Sequence, residues 1–210
     1  MKIENTRVYG FESAIHGLRN PMNSWDKSDS GFERYDITTF DDNVRKYLQE
    51  FKIGPNDNEL AKKLIKLGSE QRKFLRLIHV QCFITIPRYI WQELDTFKVA
   101  TVRMSCSTMH KLGMTDLTRE DFQDDAVLPE TLKMLNDIGR EYRYTKNVEL
   151  LRQMKQILPE GFLQSADYDM SYETARAMYH QRKNHRMTEW SGKGGICEWI
   201  QSLPMMKEWL

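Results

Sequence analysis

The segment His79–His110, HVQCFITIPRYIWQELDTFKVATVRMSCSTMH, decides how this chain is read. From His79 to Ile86 apolar and less apolar residues alternate. Val80, Cys82, Ile84 and Ile86 point one way, and His79, Gln81, Phe83 and Thr85 the other, as in a strand with one buried face. Pro87 ends that strand and suits the first turn of a helix, because it lacks an N–H and its φ is already helical. The helix carries Tyr89, Ile90, Trp91, Leu94 and Phe97. A short extended piece around Val99–Val102 follows, then a serine-rich turn, with helical character over Ser105–Leu112.

On the N-terminal side, Gly17 to Trp25 is rich in turn formers, and Asp26–Gly31 reads as an exposed loop. Asp41 is placed to cap a helix bearing Val44, Tyr47, Leu48 and Phe51. Gly54–Asp57 interrupts this. A second helix carries Leu60, Leu64, Ile65 and Leu67, and Phe74, Leu75 and Ile78 continue the helical period after Gly68. On the C-terminal side, Asp116–Leu128 is acidic and loop-like. Pro129–Leu158 reads as two helices broken near Tyr144–Thr145 and stopped by Pro159-Glu160-Gly161. Ser171 caps a long helix running towards Trp190, and Ile196–Leu203 forms a short one after the break at Gly192–Gly195. There is no internal repeat. The expectation is a helix-rich α+β fold, a small, mostly antiparallel sheet packed with several helices, in one domain spanning residues 1–210.

The bulk numbers narrow the function. Lys and Arg total 31 against 30 Asp and Glu, so the global basic excess of a nucleic-acid binder is missing. No apolar run reaches the roughly 20 residues of a bilayer span, and the first ten residues lack the apolar stretch of a signal peptide. Three scattered cysteines, Cys82, Cys106 and Cys197, argue against a disulfide framework and against CxxC zinc binding. Together these point to a cytoplasmic protein with no membrane or nucleic-acid partner.

The order strand, proline, glutamine-bearing helix, short strand and serine turn resembles flavin-dependent thymidylate synthase. By that resemblance Gln92 and Ser105 stand where the family contacts its nucleotide, and His79 and Arg88 fall near positions closer to the flavin. The family's Arg-His-Arg element falls on Asp95-Thr96-Phe97, and the arginine that follows its serine falls on Ser107. Those arginines hold flavin and anionic substrate in the family, because a planar cation grips phosphate with two parallel hydrogen bonds. Here a carboxylate takes one of the positions, where it repels phosphate. Lys98 and Arg103 are the nearby candidates to replace the charge, a lysine doing so as a point charge and not as a fork.

A second constellation lies near the C-terminus: Arg176, His180, Arg182, Lys183, Asn184, His185, Arg186 and Glu189. So many cations in a short stretch make a local positive field suited to phosphate. The family's C-terminal helix has an asparagine and an arginine that contact flavin and substrate, and Asn184 and Arg182 resemble them. His180 and His185 are five residues apart and do not share a helical face, so no metal site is expected. In the N-terminal turn, Arg19 and Asn20 are further candidates to reach the anion.

The resemblance implies FAD as cofactor and a deoxyuridine nucleotide as substrate, reductively methylated from dUMP to dTMP, with methylenetetrahydrofolate and NADPH as co-substrates and a homotetrameric assembly. The expected site is then His79, Arg88 and Asn184 for the flavin, Gln92, Ser105, Ser107 and Arg182 for the nucleotide, and Lys98 and Arg103 as replacement charge. The alternative is a catalytically altered or inactive nucleotide-binding or protein-interaction module on the same fold, in the style of small prophage-encoded proteins.

Overall fold

The structure is a computed structural model describing residues 1–37 and 46–210. Its strands are β1 (Lys2–Tyr9), β2 (Gly31–Ile37), β3 (Lys46–Lys52), β4 (His79–Pro87), β5 (Thr101–Ser105) and β6 (Leu163–Ser171). The α-helices are α1 (Phe11–Arg19), α2 (Pro55–Leu67), α3 (Arg88–Leu94), α4 (Thr108–Lys111), α5 (Pro129–Thr145), α6 (Val148–Ile157), α7 (Tyr172–Arg182), α8 (Thr188–Ser191), α9 (Ile196–Ser202) and α10 (Met206–Trp209). Among the described residues this is the expected helix-rich α+β architecture. None of these helices is long and apolar enough to cross a membrane.

One sheet has the order β1-β4-β6-β5, and β2 pairs with β3 in a separate antiparallel ribbon. Strand β4 alternates as read, with Val80, Cys82, Ile84 and Ile86 buried. Its pairing with β6 is antiparallel. The Arg88 N–H donates to the Phe162 carbonyl at 3.1 Å, the Thr85 and Ser165 hydroxyls meet at 2.7 Å, and the Tyr172 N–H donates to the Ile78 carbonyl at 2.8 Å.

Strand β6 was not anticipated. Its Asp167 and Asp169 make it look like a loop, yet Ala166, Tyr168 and Met170, which alternate with them, are buried, a period of two that a sheet satisfies.

The chain divides into two compact units. Unit 1 is Met1–Thr6 with Gln81–Asp169. Its two longest helices form the α5–α6 hairpin, broken after Thr145 at Lys146, whose φ is +57°. The hairpin packs Leu135, Leu151, Met154 and Leu158 against Leu112, Phe122 and Val127. Burial of such side chains, at about 1.5–3 kcal/mol each, holds the hairpin in this cluster.

Unit 2 is Arg7–Val80 with Met170–Leu210. Its core includes Ile15, Leu75, Ile78, Tyr172, Met178, Ile200 and Trp209, with Phe11, Phe74 and Tyr172 set edge-on to Trp209.

Four expectations are corrected. Of the helix expected from Asp41, Asp41 and Val44 lie outside the described residues, and Lys46–Lys52 is strand. Tyr47 and Phe51 fit a period of two as well as a helical one, and pairing with β2 decides it: Phe51 is the register partner of Phe32, ring to ring at 5.3 Å. Arg72–Leu77 is a 3-10 helix rather than α. Over Ser105–Leu112 only Thr108–Lys111 is helical, because Ser105 still belongs to β5. The long helix from Ser171 stops at Arg182. Ser171 does cap it, accepting from the Thr174 N–H at 3.2 Å. After Arg182 the chain turns back, which lets Trp190 bury completely.

Candidate functional site

In unit 1 the residues read from the sequence gather around α3, β5 and the start of β6. Pro87 stands at the N-cap of α3. The first N–H groups of that helix are taken by main-chain carbonyls, Arg88 N–H by Phe162 and Tyr89 N–H by Glu160. Arg88 and Gln92 lie one turn apart and converge on one acid. Arg88 Nη2 is 3.5 Å from Glu160 Oε1, and Gln92 Nε2 donates to Glu160 Oε2 at 3.0 Å.

Beyond the helix, Arg103 projects from β5. Its Nη1 donates to Asp95 Oδ2 at 2.6 Å and its Nη2 to Gln164 Oε1 at 3.0 Å, while the guanidinium carbon lies 3.9 Å from the Trp91 ring centroid. Trp91 is itself fixed by donating from Nε1 to the Gln164 carbonyl at 2.8 Å. Gln164 also donates from Nε2 to the Cys106 carbonyl at 3.0 Å, tying Arg103 to the turn between Ser105, the last residue of β5, and Ser107. Both serines are exposed, as is Lys98. Arg103 Nε is buried without a hydrogen-bond partner among the described residues.

The electrostatic outcome differs from a simple replacement of lost arginine charge. Arg88 faces Glu160 and Arg103 faces Asp95, so the four charges sum to zero before Lys98 is added. Asp95 and Arg103 form an ion pair eight residues apart, with the carboxylate at the position where the resemblance places an arginine. Sequence reading singled out Arg103 but missed Gln164 and Glu160, which sit in or beside a strand that itself went unrecognised.

In unit 2, His79 opens β4 and stacks on Tyr9, centroids 5.7 Å apart and planes 19° from parallel. Arg182, at the end of α7, lies over the Trp190 ring at 5.4 Å, and His185 meets the same ring at 6.3 Å. Asn184 is exposed in the turn after the helix. Arg182, Arg186 and Glu189 therefore do not share a helical face. Arg176 instead holds the tail, donating to the carbonyls of Trp209 at 3.0 Å and Leu210 at 3.3 Å. Burial, together with the charges of Arg176 and Lys183, lowers the pKa of His180. Arg19 is not directed at an anion site: it is buried against Asp57.

Unit 2 also contains a cavity of about 850 Å³ that sequence reading did not foresee. Leu18, Leu64 and Phe74 give it apolar lining, and Asn20, Lys73 and Arg76 add polar groups. The volume lies within the range of ligand sites. The signal was present in Lys73 and Arg76, which are three residues apart and therefore eclipsed on a 3-10 turn. No cluster of three His, Cys, Asp or Glu side chains able to hold a metal occurs among the described residues.

No protein-family model matches the chain. No curated protein matches it in sequence. Solved structures do match. One is thymidylate synthase X (ThyX) from Helicobacter pylori with FAD and dUMP, at a TM-score of 0.70 and 13% identity over 100% of this chain and 97% of that one. Another, flavin-dependent thymidylate synthase ThyX from the same organism complexed with FAD and dUMP, has a TM-score of 0.66 and 12% identity over 97% and 92%. The chain has the flavin-dependent thymidylate synthase fold. Identity this low speaks for architecture, and chemistry has to be argued from side chains.

The unit 2 cavity combines an apolar lining with the cations Lys73 and Arg76, groups that suit an apolar ligand body with an anionic tail.

Proposed function

We propose that this protein is a divergent flavin-dependent thymidylate synthase-like protein that binds FAD and a deoxyuridine nucleotide and converts dUMP to dTMP. The observation that carries the reading is fold similarity along essentially the whole chain to ThyX structures holding FAD and dUMP. Bound flavin, once reduced by NADPH, would supply the hydride of a reductive methylation whose carbon would come from methylenetetrahydrofolate.

Within this reading the chain positions its ligands and supplies no nucleophile. In unit 1, the Gln92 amide offers a donor and an acceptor to the nucleotide, and the exposed Ser105 and Ser107 offer hydroxyls to its sugar and phosphate. Arg88 is assigned to the flavin, and Lys98 and Arg103 supply cationic charge. In unit 2, Arg182 takes nucleotide phosphate as a planar fork, its plane supported by Trp190. His79 and Asn184 are assigned to the flavin, and Lys73 and Arg76 are added for its phosphates. Residues 1–210 are assigned to one domain, and the protein assembles as a homo-oligomer, a tetramer by resemblance.

A second reading is favoured by one observation. Arg88 and Arg103 are each paired with a carboxylate, which weakens anion capture and fits a nucleotide-binding or interaction module that has lost the reaction.

Purified protein decides between them. Flavin absorbance on the isolated protein, a rise in melting temperature with FAD and with dUMP, and dTMP formation support the synthase. Ligand binding without dTMP formation supports the module. A colourless protein that shifts with neither ligand sinks both nucleotide readings.

A further inference from the structure

We propose that Asp95 is a specificity-determining residue: its carboxylate occupies Arg103 as an internal anion, so that a ligand phosphate reaches Arg103 only by displacing it. This inference rests on the nucleotide-binding reading above and adds a residue that lowers the preference for phosphorylated over unphosphorylated ligand.

The two partners are unequally held. Arg103 is fixed on three sides, by the Trp91 face at 3.9 Å, Gln164 Oε1 at 3.0 Å and Asp95 Oδ2 at 2.6 Å, and its side chain is 21% exposed. Asp95 is 49% exposed and follows the last residue of α3. Turning the Asp95 carboxylate into water costs little, because the half-exposed carboxylate is screened and can be solvated there. Moving Arg103 would break its stacking and the bond to Gln164 together. The pair therefore opens on the Asp95 side, leaving a stationary guanidinium with Nη1 released to donate to an incoming anion.

A phosphate entering there meets Arg103 as an attractive charge and Asp95 as a repulsive one. An uncharged nucleoside meets no such opposition. Asp95 thus subtracts from phosphate affinity and leaves recognition of the base and sugar unchanged.

The test is calorimetric titration of the full chain and its D95N variant with dUMP, deoxyuridine and inorganic phosphate at low ionic strength. Asp95→Asn keeps the shape and removes the charge. The expected result is tightening of dUMP and of phosphate by about fivefold or more, the size of one unit charge several ångströms away at intermediate dielectric, with deoxyuridine unchanged. D95A, which removes the side chain altogether, should behave alike. Equal tightening of dUMP and deoxyuridine, or no change with any of the three, overturns the proposal. If neither dUMP nor deoxyuridine binds either protein, the nucleotide reading fails, and the proposed discrimination between nucleotide and nucleoside falls with it. Phosphate binding that tightens in D95N in that case locates the fault in the nucleotide reading and not in the Asp95–Arg103 exchange.

Discussion

Arg19 donates from Nε to Asp57 Oδ1 at 2.5 Å, and both side chains are almost wholly withdrawn from water, at 6% and 0% exposure. Asp57 lies in the first turn of α2 and collects the surrounding segment. The Ser28 and Ser30 hydroxyls each donate to its Oδ2 at 2.6 Å, and the Ser30 N–H does so at 3.2 Å. Asp29 returns the arrangement, accepting from the N–H groups of Asn56 at 2.9 Å and Asp57 at 3.1 Å. The stretch from Asp26 to Gly31, a loop by composition, is thereby fastened to a buried ion pair.

Burial pushes the Asp57 carboxyl up, but hydrogen bonds from Ser28, Ser30 and Arg19, with the Arg19 charge, outweigh it and leave the pKa below the ordinary 3.8. A carboxyl lowered in the fold stabilises the native state above its unfolded pKa and loses that contribution as pH falls through the folded value. Asp57→Asn should cost about 3–5 kcal/mol near neutral pH, since it strands Arg19 in the interior. The gap between wild type and variant should narrow only below about pH 4. Urea unfolding at several pH values measures both, and a gap independent of pH down to pH 2 would refute the role.

Arg103 is held more by Trp91 than by Asp95. Its stack and its bond to Gln164 are shielded, whereas Asp95 is half in water. Arg103→Ala should cost about 1–3 kcal/mol, and Asp95→Ala under about 1 kcal/mol with a loss that fades in high salt. Denaturant titration of both variants checks this, and equal costs would show that the ion pair dominates.

Gly10 precedes α1 with φ at +95°, and a Cβ placed there would come within 2.1 Å of the Leu77 carbonyl oxygen. Its own carbonyl accepts from the Ala14 N–H at 3.0 Å and starts the helix. Gly10→Ala combines a left-handed backbone, which costs about 1 kcal/mol for a residue with a side chain, with that clash. Its melting temperature should fall by at least about 3 °C. Gly161, with open space around it, is the control: Gly161→Ala should change stability far less.

The cysteines should differ sharply in reactivity. Burial and the nearby Asp167 and Asp169 push the Cys82 thiol up to about 12, and burial pushes Cys197 up to about 11. Cys106 is exposed in the turn after β5. A thiol reagent at pH 8 should label one cysteine in the native protein and three after denaturation, since only the thiolate reacts. Mass mapping that finds Cys82 labelled first would overturn the packing described for β4.

The sequence alone determined the local elements whose signal lies within a few neighbouring residues: the alternation of β4, the helix after Pro87, the break between α5 and α6, and the cap of α7 at Ser171. It also determined that aspartate stands where the resemblance called for arginine. Tertiary structure decided the remainder. Strand β6 is masked by two aspartates and needs β4 and β5 beside it, β3 needs β2, and the turn after Arg182 depends on the burial of Trp190. The fate of Arg103 was settled the same way, by Trp91 and by Gln164, which lies 61 residues away in the chain. A period of two or of 3.6 reports which face of a segment is apolar. The partner of a charge is chosen by a fold that brings distant residues within three ångströms, and no local pattern encodes that choice.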